Sequence, residues 1–270
     1  MSGGRQKDAA ISIITVCRNS ESTIEQTIKS VISQDFSDIE YIVIDGGSLD
    51  GTLEIIKKFE NRIDYWISAK DEGVGDAFNK GIGLARGKII GIINSDDWYE
   101  DGALKTVADI FKEKDIDVLC GKVRYWDGDK PSYVFGTYPA KLSIQMTVNH
   151  PAVFVNKSCY DKFGLFDNNY KYAMDYDMML RLSVNGCGFY NHDGIIANMG
   201  LGGLSDRNWD KAFKECKDIK IRYLGKRPDI YMYYCYQLVR HYVSNVLRLI
   251  GLGYVADLYK ERYSIVRKEK

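Results

Sequence analysis

Two adjacent carboxylates follow the most apolar stretch of the chain, and they are the residues best suited to chemistry. The stretch KIIGIINSDDW, residues 88–98, places four isoleucines around one glycine and then changes to Asn94, Ser95, Asp96 and Asp97. Such an apolar run is typical of a strand buried on both faces of a parallel sheet. Ligands bind beyond the carboxyl ends of such strands, so we expect the carboxylates to hold a divalent cation, Mg²⁺ or Mn²⁺, which in turn binds substrate phosphates. The alternative interpretation is a solvated turn that caps the next helix.

Acidic residues also follow two other apolar runs. Asp45 follows residues 41–44 and begins the sequence DGGS, and Asp71 follows residues 65–68 and begins DEG. Helical patterns between these runs repeat a strand–helix order four times, which predicts a parallel sheet with right-handed crossovers. Because a parallel sheet gathers its carboxyl strand ends along one edge, we expect Asp45, Asp71 and the adjacent Asp96 and Asp97 to lie on the same edge. The glycines beside these acids allow a ligand to approach the backbone closely.

Apolar periodicity and turn residues predict the remaining elements. Strands are predicted at 11–17, 41–44, 65–68, 89–93, 117–121, 123–126, 132–135 and 150–155. Helices are predicted at 24–32, 53–59, 76–85, 102–111, 156–163, 172–181, 206–224, 229–250 and 254–267. Ser22 and Glu25 have the spacing of a capping box at the start of the first helix.

Charge divides the 270-residue chain into two parts. Residues 1–206 contain 22 Lys/Arg and 30 Asp/Glu, a net charge of −8, whereas residues 207–270 contain 15 and 7, a net charge of +8. A basic, helical and tyrosine-rich end suggests a separate role. Two interpretations remain equal: an amphipathic face that contacts an anionic membrane, or an appendage that covers the core or a dimer partner.

Several classes of protein are excluded by motif and composition. The six cysteines are scattered without a CxxC pair, which argues against a zinc or disulfide scaffold and fits a reducing cytoplasm. The glycines of residues 81–87 lie within and after a helix, so they do not form a dinucleotide fingerprint, and no P-loop or GxSxG motif is present. The three histidines do not suggest a metal cluster, and no basic stripe with stacking aromatics predicts nucleic-acid binding. Residues 1–10 lack the apolar region of a secretory signal, and the longest charge-free apolar run, 230–239, is half the length of a membrane span.

Seven segments, taken in order, resemble the inverting family 2 glycosyltransferases with a GT-A fold, especially those of bacterial polysaccharide and O-antigen biosynthesis. The segments are ISIITVCRN, EYIVIDGGSLDGT, DEGVGDAFNKGI, GIINSDDWY, HPAVFV, AMDYDMMLRL and GGLS. The resemblance implies an α/β fold of GT-A type: a Rossmann-like, mostly parallel central sheet flanked by helices. It also implies a nucleotide-sugar-binding half at 11–100 and an acceptor-binding and catalytic half at 101–206. No motif of the family falls beyond residue 206, so the C-terminal basic helical appendage at 207–270 is predicted from charge and periodicity, and the disordered tail at 1–10 from its polar composition.

The resemblance further implies which residues form the site. Those expected to bind the nucleotide sugar are Thr15, Val16, Cys17, Arg18, Asn19, Asp45, Gly47, Ser48, Asp71, Gly73, Asn79, Lys80, Asn94, Ser95 and Asp96. Ser95 to Asp97 is similar to the DxD motif, so Asp97 would bind the Mn²⁺ or Mg²⁺ that holds the diphosphate. Asp175 is similar to the general base of the family, with Asp177 as the alternative because Met174 replaces a frequent Glu. Weaker acceptor contacts are expected at His150, Tyr172, Asp177, Gly202 and Gly203.

These roles imply transfer of a hexose or N-acetylhexosamine from a UDP-sugar to a saccharide acceptor, lipid-linked, at the cytoplasmic face of the membrane. Inverting transfer needs one carboxylate to deprotonate the acceptor hydroxyl and a metal to neutralise the leaving diphosphate. Because Asp175 begins a helix, we expect a low pKa at rest and a rise in pKa when substrate desolvates it.

Two other functions stay open. A sugar-1-phosphate nucleotidyltransferase would need a glycine-rich, basic loop after the first strand, which residues 18–20 match poorly. A non-catalytic nucleotide-sugar-binding scaffold subunit would use Asp45 and Asp97 but not Asp175. Substitution of Asp175 by Asn separates the second alternative from an enzyme, because only an enzyme would lose turnover while it still binds.

Overall fold

The computed structural model describes residues 9–201, 208–255 and 268–269, which form one mixed sheet with helices packed on it. The strands are β1 (Ile11–Cys17), β2 (Ile39–Asp45), β3 (Tyr65–Ser68), β4 (Ile89–Asn94), β5 (Asp97–Tyr99), β6 (Val118–Asp127), β7 (Lys130–Phe135), β8 (Val153–Asn156), β9 (Phe189–Gly200) and β10 (Lys268–Glu269). The α-helices are α1 (Ile24–Ile32), α2 (Thr52–Lys58), α3 (Val74–Leu84), α4 (Ala103–Glu113), α5 (Lys157–Phe163), α6 (Met174–Val184), α7 (Trp209–Leu224) and α8 (Pro228–Leu249).

The sheet is parallel in its first half and mixed in its second. Its strand order is β10-β7-β6-β8-β4-β1-β2-β3, and β3, β2, β1 and β4 are all parallel. Beyond β4 the pairings of β8, β6, β7 and β10 are antiparallel, while β9 runs parallel to β6 and antiparallel to β5. The predicted α/β class is therefore confirmed, and the parallel half brings the carboxyl ends of its strands to one edge.

Burial on both faces explains why the first strands lack polar alternation. All seven residues of β1 are buried, and successive side chains enter two separate apolar clusters. Ile14 packs with Phe78 of α3 on one face, whereas Ile13 packs with Ile28 of α1 on the other. Each such isoleucine contributes about 1.5–3 kcal/mol by burial. The two helical layers therefore hold the strand ends rigidly where a ligand would bind.

Local signals in the sequence succeeded at some element ends and failed at others. The side chain of Asn156 caps α5 by accepting a hydrogen bond from the Ser158 amide at 3.1 Å, and Gly164 ends this helix at φ 88°. The prediction of a capping box at α1 was wrong. Thr23 is the N-cap and makes no side-chain hydrogen bond to the helix, and Glu25 forms ion pairs with Lys29 and Lys58. Ion pairing across the exposed face was thus more favourable for Glu25 than bonding to the helix end.

Three strand predictions also required correction. The segments 117–121 and 123–126 are one continuous strand, β6, and residues 150–152 form a 3-10 turn before β8 because Pro151 cannot donate an amide hydrogen bond. The short β5 and the long β9 were not predicted at all. Pairing between these two strands stabilises them, and neither carries a clear apolar alternation in the sequence.

The C-terminal helices are present, and α7 packs closely against the sheet-bearing part. Ile219 of α7 is fully buried, and the buried Lys220 ammonium donates to the Ile144 carbonyl at 2.8 Å. In α8, the Tyr233 hydroxyl donates to Gln145. None of the helices in the described parts of the chain has the length and apolar character needed to cross a membrane.

Candidate active site

A cavity of about 880 Å³ opens at the carboxyl ends of β1 and β4, beside the loop after β3 and the start of α6. The predicted site residues that line it are Val16, Cys17, Arg18, Asn19, Asp71, Gly73, Asn94, Ser95, Asp96, His150, Tyr172 and Asp175. The cavity is also lined by residues that were not predicted from the sequence, among them Tyr125, Asn149 and Lys171. These three lie outside any motif, although the position of Asn149 directly before the segment HPAVFV was a signal. The Tyr125 hydroxyl donates to Asn149 Oδ1 at 3.2 Å.

Asp45 lies beneath the cavity, where it organises the loop after β2. Its carboxylate is fully buried and accepts hydrogen bonds from the amides of Gly47 and Ser48 at 3.1 and 3.0 Å and from the Ser68 hydroxyl at 2.6 Å. Burial beside this carboxylate raises the pKa of the Cys17 thiol, which donates to Asp45 at 3.6 Å. Asp45, Gly47 and Ser48 therefore shape the wall of the site from behind.

Asp71 approaches this loop from the other side. Its Oδ1 accepts a hydrogen bond from the Gly73 amide at 3.1 Å, and its Oδ2 occupies the space that a Cβ at position 46 would fill. Gly46 therefore allows the Asp71 carboxylate to lie against the β2 loop. Gly73 has φ 131°, a conformation that favours glycine and turns the chain directly into α3.

The two carboxylates of the SDD sequence lie in different environments. Asp96 is exposed and lines the cavity, whereas Asp97 is 1% exposed and belongs to β5. Asn94 Nδ2 donates to Asp97 Oδ2 at 3.4 Å. Burial and the neighbouring Asp96 charge raise the pKa of Asp97 well above its ordinary range. The structure therefore places Asp96, not Asp97, where a cation in the cavity could reach it.

Three other predicted residues serve as supports. Asn79 makes a pair of hydrogen bonds with the backbone of Phe166, both at 2.9 Å, and Lys80 forms an ion pair with Asp76 at 2.8 Å. The hydroxyl of Thr15 shares a hydrogen bond with the Tyr41 hydroxyl at 3.1 Å inside the core. None of Thr15, Asn79 and Lys80 is among the residues that line the described cavity.

Asp175 also lines the cavity, in the first turn of α6. Its Oδ1 accepts the Tyr176 amide at 2.8 Å. Burial raises the pKa of this carboxyl to about 6, and the negative charge of Glu215 contributes in the same direction. The expectation of a low pKa at rest was therefore wrong, because desolvation outweighs the effect of the helix end before any substrate arrives.

Asp177 points away from the cavity, toward α7. Its carboxylate is fully buried, accepts a hydrogen bond from the Tyr223 hydroxyl at 2.9 Å and lies 3.4 Å from Arg181 Nη2. This arrangement fastens α6 to α7, so it removes Asp177 from contact with an acceptor. Gly202 and Gly203, the other predicted acceptor contacts, lie outside the described residues.

His150 lines the cavity as a neutral ring. It stacks on Phe78 with 5.1 Å between ring centroids and an interplanar angle of 19°. Burial lowers its pKa to about 4, so the imidazole is uncharged near neutral pH. The positive charges of the cavity wall come instead from Arg18 and Lys171.

The donor set of the cavity fits a divalent cation only in part. No group of three or more His, Cys, Asp or Glu side chains that could hold a metal ion occurs within residues 9–201, 208–255 and 268–269. Asp96 offers an exposed carboxylate in the cavity wall. Mg²⁺ in phosphate-binding sites is commonly held by one or two carboxylates, with the remaining ligands from substrate phosphates and water. The residues present therefore fit a cation that arrives with a phosphate ligand.

Known proteins resemble this chain over more than half of its length. The sequence model of Glycosyl transferase family 2 matches residues 12–166, more than half of the chain. Chondroitin synthase of Escherichia coli is 31% identical over 183 residues, which cover 64% of this chain and 26% of that protein. A PGL/p-HBAD biosynthesis glycosyltransferase of Mycobacterium bovis is 28% identical over 212 residues, which cover 75% of this chain and 81% of that protein. The chain also spans 42% of Glycosyltransferase GlyG of Streptococcus pneumoniae, so it matches less than half of some relatives.

Solved structures resemble the fold over most of the chain. S. aureus TarS in complex with UDP-GlcNAc has a TM-score of 0.64 at 19% identity, covering 86% of this chain and 72% of that chain. The mannosyltransferase PcManGT from Pyrobaculum calidifontis, in complex with GDP-Man and Mn²⁺, has a TM-score of 0.63 at 14% identity, covering 96% and 77%. At these identities the likeness establishes the fold, which is that of the GT-A glycosyltransferases.

Proposed function

The chain belongs to Glycosyl transferase family 2, and from this premise we propose that it transfers a hexose or N-acetylhexosamine from a UDP-sugar to a saccharide acceptor with inversion. The observation that carries the proposal is that Asp71 and Asp96, which follow strand ends, and Asp175 of α6 line the same cavity. Relatives named for chondroitin and PGL/p-HBAD synthesis favour a polysaccharide or glycolipid product. We propose residues 11–100 as the donor half and residues 101–206 as the acceptor half.

We propose that the donor lies along the carboxyl ends of β1 and β4. The nucleoside would contact Asp71 and the end of β1, and the diphosphate would lie near Arg18 and Asp96. Arg18 is exposed in the cavity wall, where its guanidinium can pair with phosphate oxygens. The choice of UDP rests on TarS, whereas PcManGT binds GDP-Man, so the nucleotide needs a direct test.

We propose Mn²⁺ or Mg²⁺ as the cofactor, held by Asp96 together with the donor diphosphate. When bound, such a cation neutralises charge that develops on the leaving diphosphate. Asp97 would support Asp96 from below, because its buried carboxylate lies behind the cavity wall. The Mn²⁺ complex of PcManGT supports a metal in this fold.

We propose Asp175 as the general base. The carboxylate would take the proton of an acceptor hydroxyl, whose oxygen attacks the anomeric carbon from the face opposite the diphosphate. The bond between that carbon and the diphosphate then breaks, and a nucleoside diphosphate leaves. A pKa of about 6 suits this task, because the group is mostly ionised at neutral pH and is still basic enough to accept a proton. The transition state would resemble an oxocarbenium ion, as in glycoside hydrolysis.

Calorimetric titration of UDP, GDP and dTDP, with Mn²⁺ and again with chelator, tests the donor site. We expect metal-dependent binding of UDP to the wild type and to Asp175→Asn, with turnover of UDP-sugars lost only in the variant. Binding of none of the three nucleotides would contradict the proposal and favour a scaffold without this ligand. Formation of pyrophosphate from UTP and a sugar 1-phosphate would favour the nucleotidyltransferase alternative.

We propose that α8 binds a second copy of this chain. Apolar side chains recur at spacings of four and three residues on its exposed face, and Met232 and Val239 are 71% and 62% exposed. The series comprises Met232, Tyr236, Val239, Val243 and Val246. This narrow stripe is typical of a helix–helix seam.

Light scattering should give a dimer that Val239→Glu converts to a monomer. A monomeric wild type that floats with anionic vesicles would favour membrane contact instead, including access to a lipid-linked acceptor.

A further inference from the structure

A carboxylate from the C-terminal part of the chain binds the backbone that leads into the base. Glu215 of α7 accepts a hydrogen bond from the Lys171 amide at 3.0 Å, from the Tyr172 amide at 2.8 Å and from the Ala173 amide at 2.9 Å. These three residues are consecutive and end directly before Met174, the first residue of α6. One side chain therefore satisfies three successive amides, two of them through the same oxygen.

This contact fixes the geometry of the base and of part of the cavity wall. Asp175 is the second residue of α6, so its position follows from the path of the segment that Glu215 holds. Lys171 and Tyr172 of that segment also line the cavity. Hydrogen bonds from amides to an ionised carboxylate are shorter and stronger than neutral ones, which makes Glu215 a stiff anchor.

The rest of α7 supports the same contact. The Tyr223 hydroxyl donates to Asp177 at 2.9 Å, and Arg222 pairs with Asp167 at 2.7 Å. Both contacts lie farther along α7 than Glu215, so the helix is fixed to α6 and to the preceding loop at several points. The basic C-terminal part therefore contributes one negative charge to the site.

The electrostatic surroundings of Asp175 are defined by few groups. From α7, the Glu215 carboxylate and the Cys216 thiol interact with it, and the Glu215 charge favours the protonated form of Asp175. On α6, the Tyr176 amide favours the ionised form. The other charged or titratable groups of the cavity wall are Cys17, Arg18, Asp71, Asp96, Tyr125, His150, Lys171 and Tyr172.

We infer that Glu215 is a positioning residue for the transfer reaction, which holds residues 171–173 and thereby places Asp175 against the acceptor hydroxyl. This inference rests on the proposed function, because it takes Asp175 as the base. It assigns a role in the site to α7, a helix that lies beyond the region matched by the family.

Glu215→Gln tests the inference, with Asp218→Asn as the matched control. Both replace a carboxylate of α7 by an amide, but Asp218 is half-exposed and pairs with Lys217. Hydrogen–deuterium exchange should show the amides of residues 171–173 exchanging roughly tenfold faster or more in Glu215→Gln and unchanged in Asp218→Asn. UDP binding with Mn²⁺ should stay within about twofold of the wild type, because the donor would contact other walls of the cavity.

Carbon-13 NMR of protein labelled at aspartate carboxyls supplies a second readout. The Asp175 resonance is identified as the one missing from Asp175→Asn. The pH midpoint of its titration should fall by about 0.5–1 in Glu215→Gln and stay unchanged in the control. If Glu215→Gln does not fold, Glu215→Asp retains the charge on a shorter side chain. In that variant the amides of residues 171–173 should exchange faster, whereas the pH midpoint of Asp175 should stay close to that of the wild type.

The outcomes separate the inference from the function on which it rests. Unchanged exchange and an unchanged Asp175 midpoint in Glu215→Gln would overturn the positioning role. Full turnover by Asp175→Asn would overturn the base, and with it the proposed function, whatever the exchange result. A third result would be a fall of UDP affinity in Glu215→Gln by the same factor as the amide exchange rate of residues 171–173 is raised. That result would also overturn the inference, because it would mean that Glu215 supports the whole cavity.

Discussion

Substitution of Asp175 by Asn should make the protein more stable above pH 6 while it removes turnover. Burial raises the pKa of this carboxyl from its ordinary 3.8 to about 6. A tenfold difference in proton affinity between the folded and unfolded states corresponds to about 1.36 kcal/mol, so ionised Asp175 costs the folded state up to about 3 kcal/mol. Asparagine keeps an oxygen for the Tyr176 amide but leaves an amide group to be solvated, so we expect a net gain of about 1–2 kcal/mol.

The sign of the effect fixes its pH dependence. Because the folded pKa lies above the unfolded value, the folded state binds more protons between pH 3.8 and about pH 6, and the stability of the wild type falls across that window. Below the window the carboxyl is protonated in both states, so its burial no longer favours the variant and only the cost of the asparagine amide remains. The variant should there be no more stable than the wild type. Above it the full difference should be present. For a chain of this size, the melting temperature should rise by about 2–6 °C at pH 7.5.

Thermal unfolding followed by circular dichroism at pH 4 and pH 7.5 measures the effect. The exposed Asp218→Asn variant serves as the control and should show no pH-dependent gain. Equal melting temperatures of wild type and Asp175→Asn at pH 7.5 would refute the argument from burial, as would a gain of the same size at both pH values. The same pKa predicts that UDP-sugar turnover rises with pH through a limb near pH 6 in the wild type.

Other variants test the donor side of the cavity. Asp96→Asn should abolish metal-dependent UDP binding, whereas Asp97→Asn should preserve it. The reverse result would mean that Asp97 binds the metal. Gly46→Ala should weaken UDP binding roughly tenfold, since its Cβ would displace the Asp71 carboxylate, and unchanged affinity in calorimetry would exclude Asp71 from the donor site. Gly91→Ala should cost about 1–3 kcal/mol in chemical denaturation, because its Cβ would meet the ring of a neighbouring phenylalanine at 2.5 Å; a smaller loss would mean that the core adapts.

The parallel half of the fold could be predicted from the sequence, because the apolar runs of its strands match their burial in the folded protein. β1 and β4 are buried on both faces, so their apolar runs directly record the environment of the strand. The second half could not be read in the same way. β9 is a strand because it pairs with β5 and β6, and its sequence, with Asn191, His192 and Asp193, has no period that indicates this pairing.

The candidate site shows the same division. Acids after three strands predicted a site at the edge of the sheet where the cavity lies, and Asp71 and Asp96 line that cavity. Nothing in the sequence indicated that Asp97, unlike its neighbour Asp96, would be buried. The difference arises because the backbone enters β5 at Asp97 and pairs with β9, a strand absent from the prediction. The expectation of a low pKa for Asp175 failed for a similar reason. The burial that raises this pKa depends on tertiary contacts, which the sequence at the start of a helix does not reveal.

The division by charge at residue 206 did not indicate that residues beyond it would contact the site. The basic segment, with a net charge of +8, suggested a separate role, either as a face that contacts a membrane or as an appendage over the core or a dimer partner. One of its few acids, Glu215, instead binds the backbone before Asp175, and the buried Lys220 donates to a carbonyl of the preceding part of the chain. A charged residue becomes part of a site through a few short contacts, and the net charge of its segment does not reveal them. Removal of α7 should therefore displace the segment that leads into Asp175, in addition to uncovering the core around Ile219.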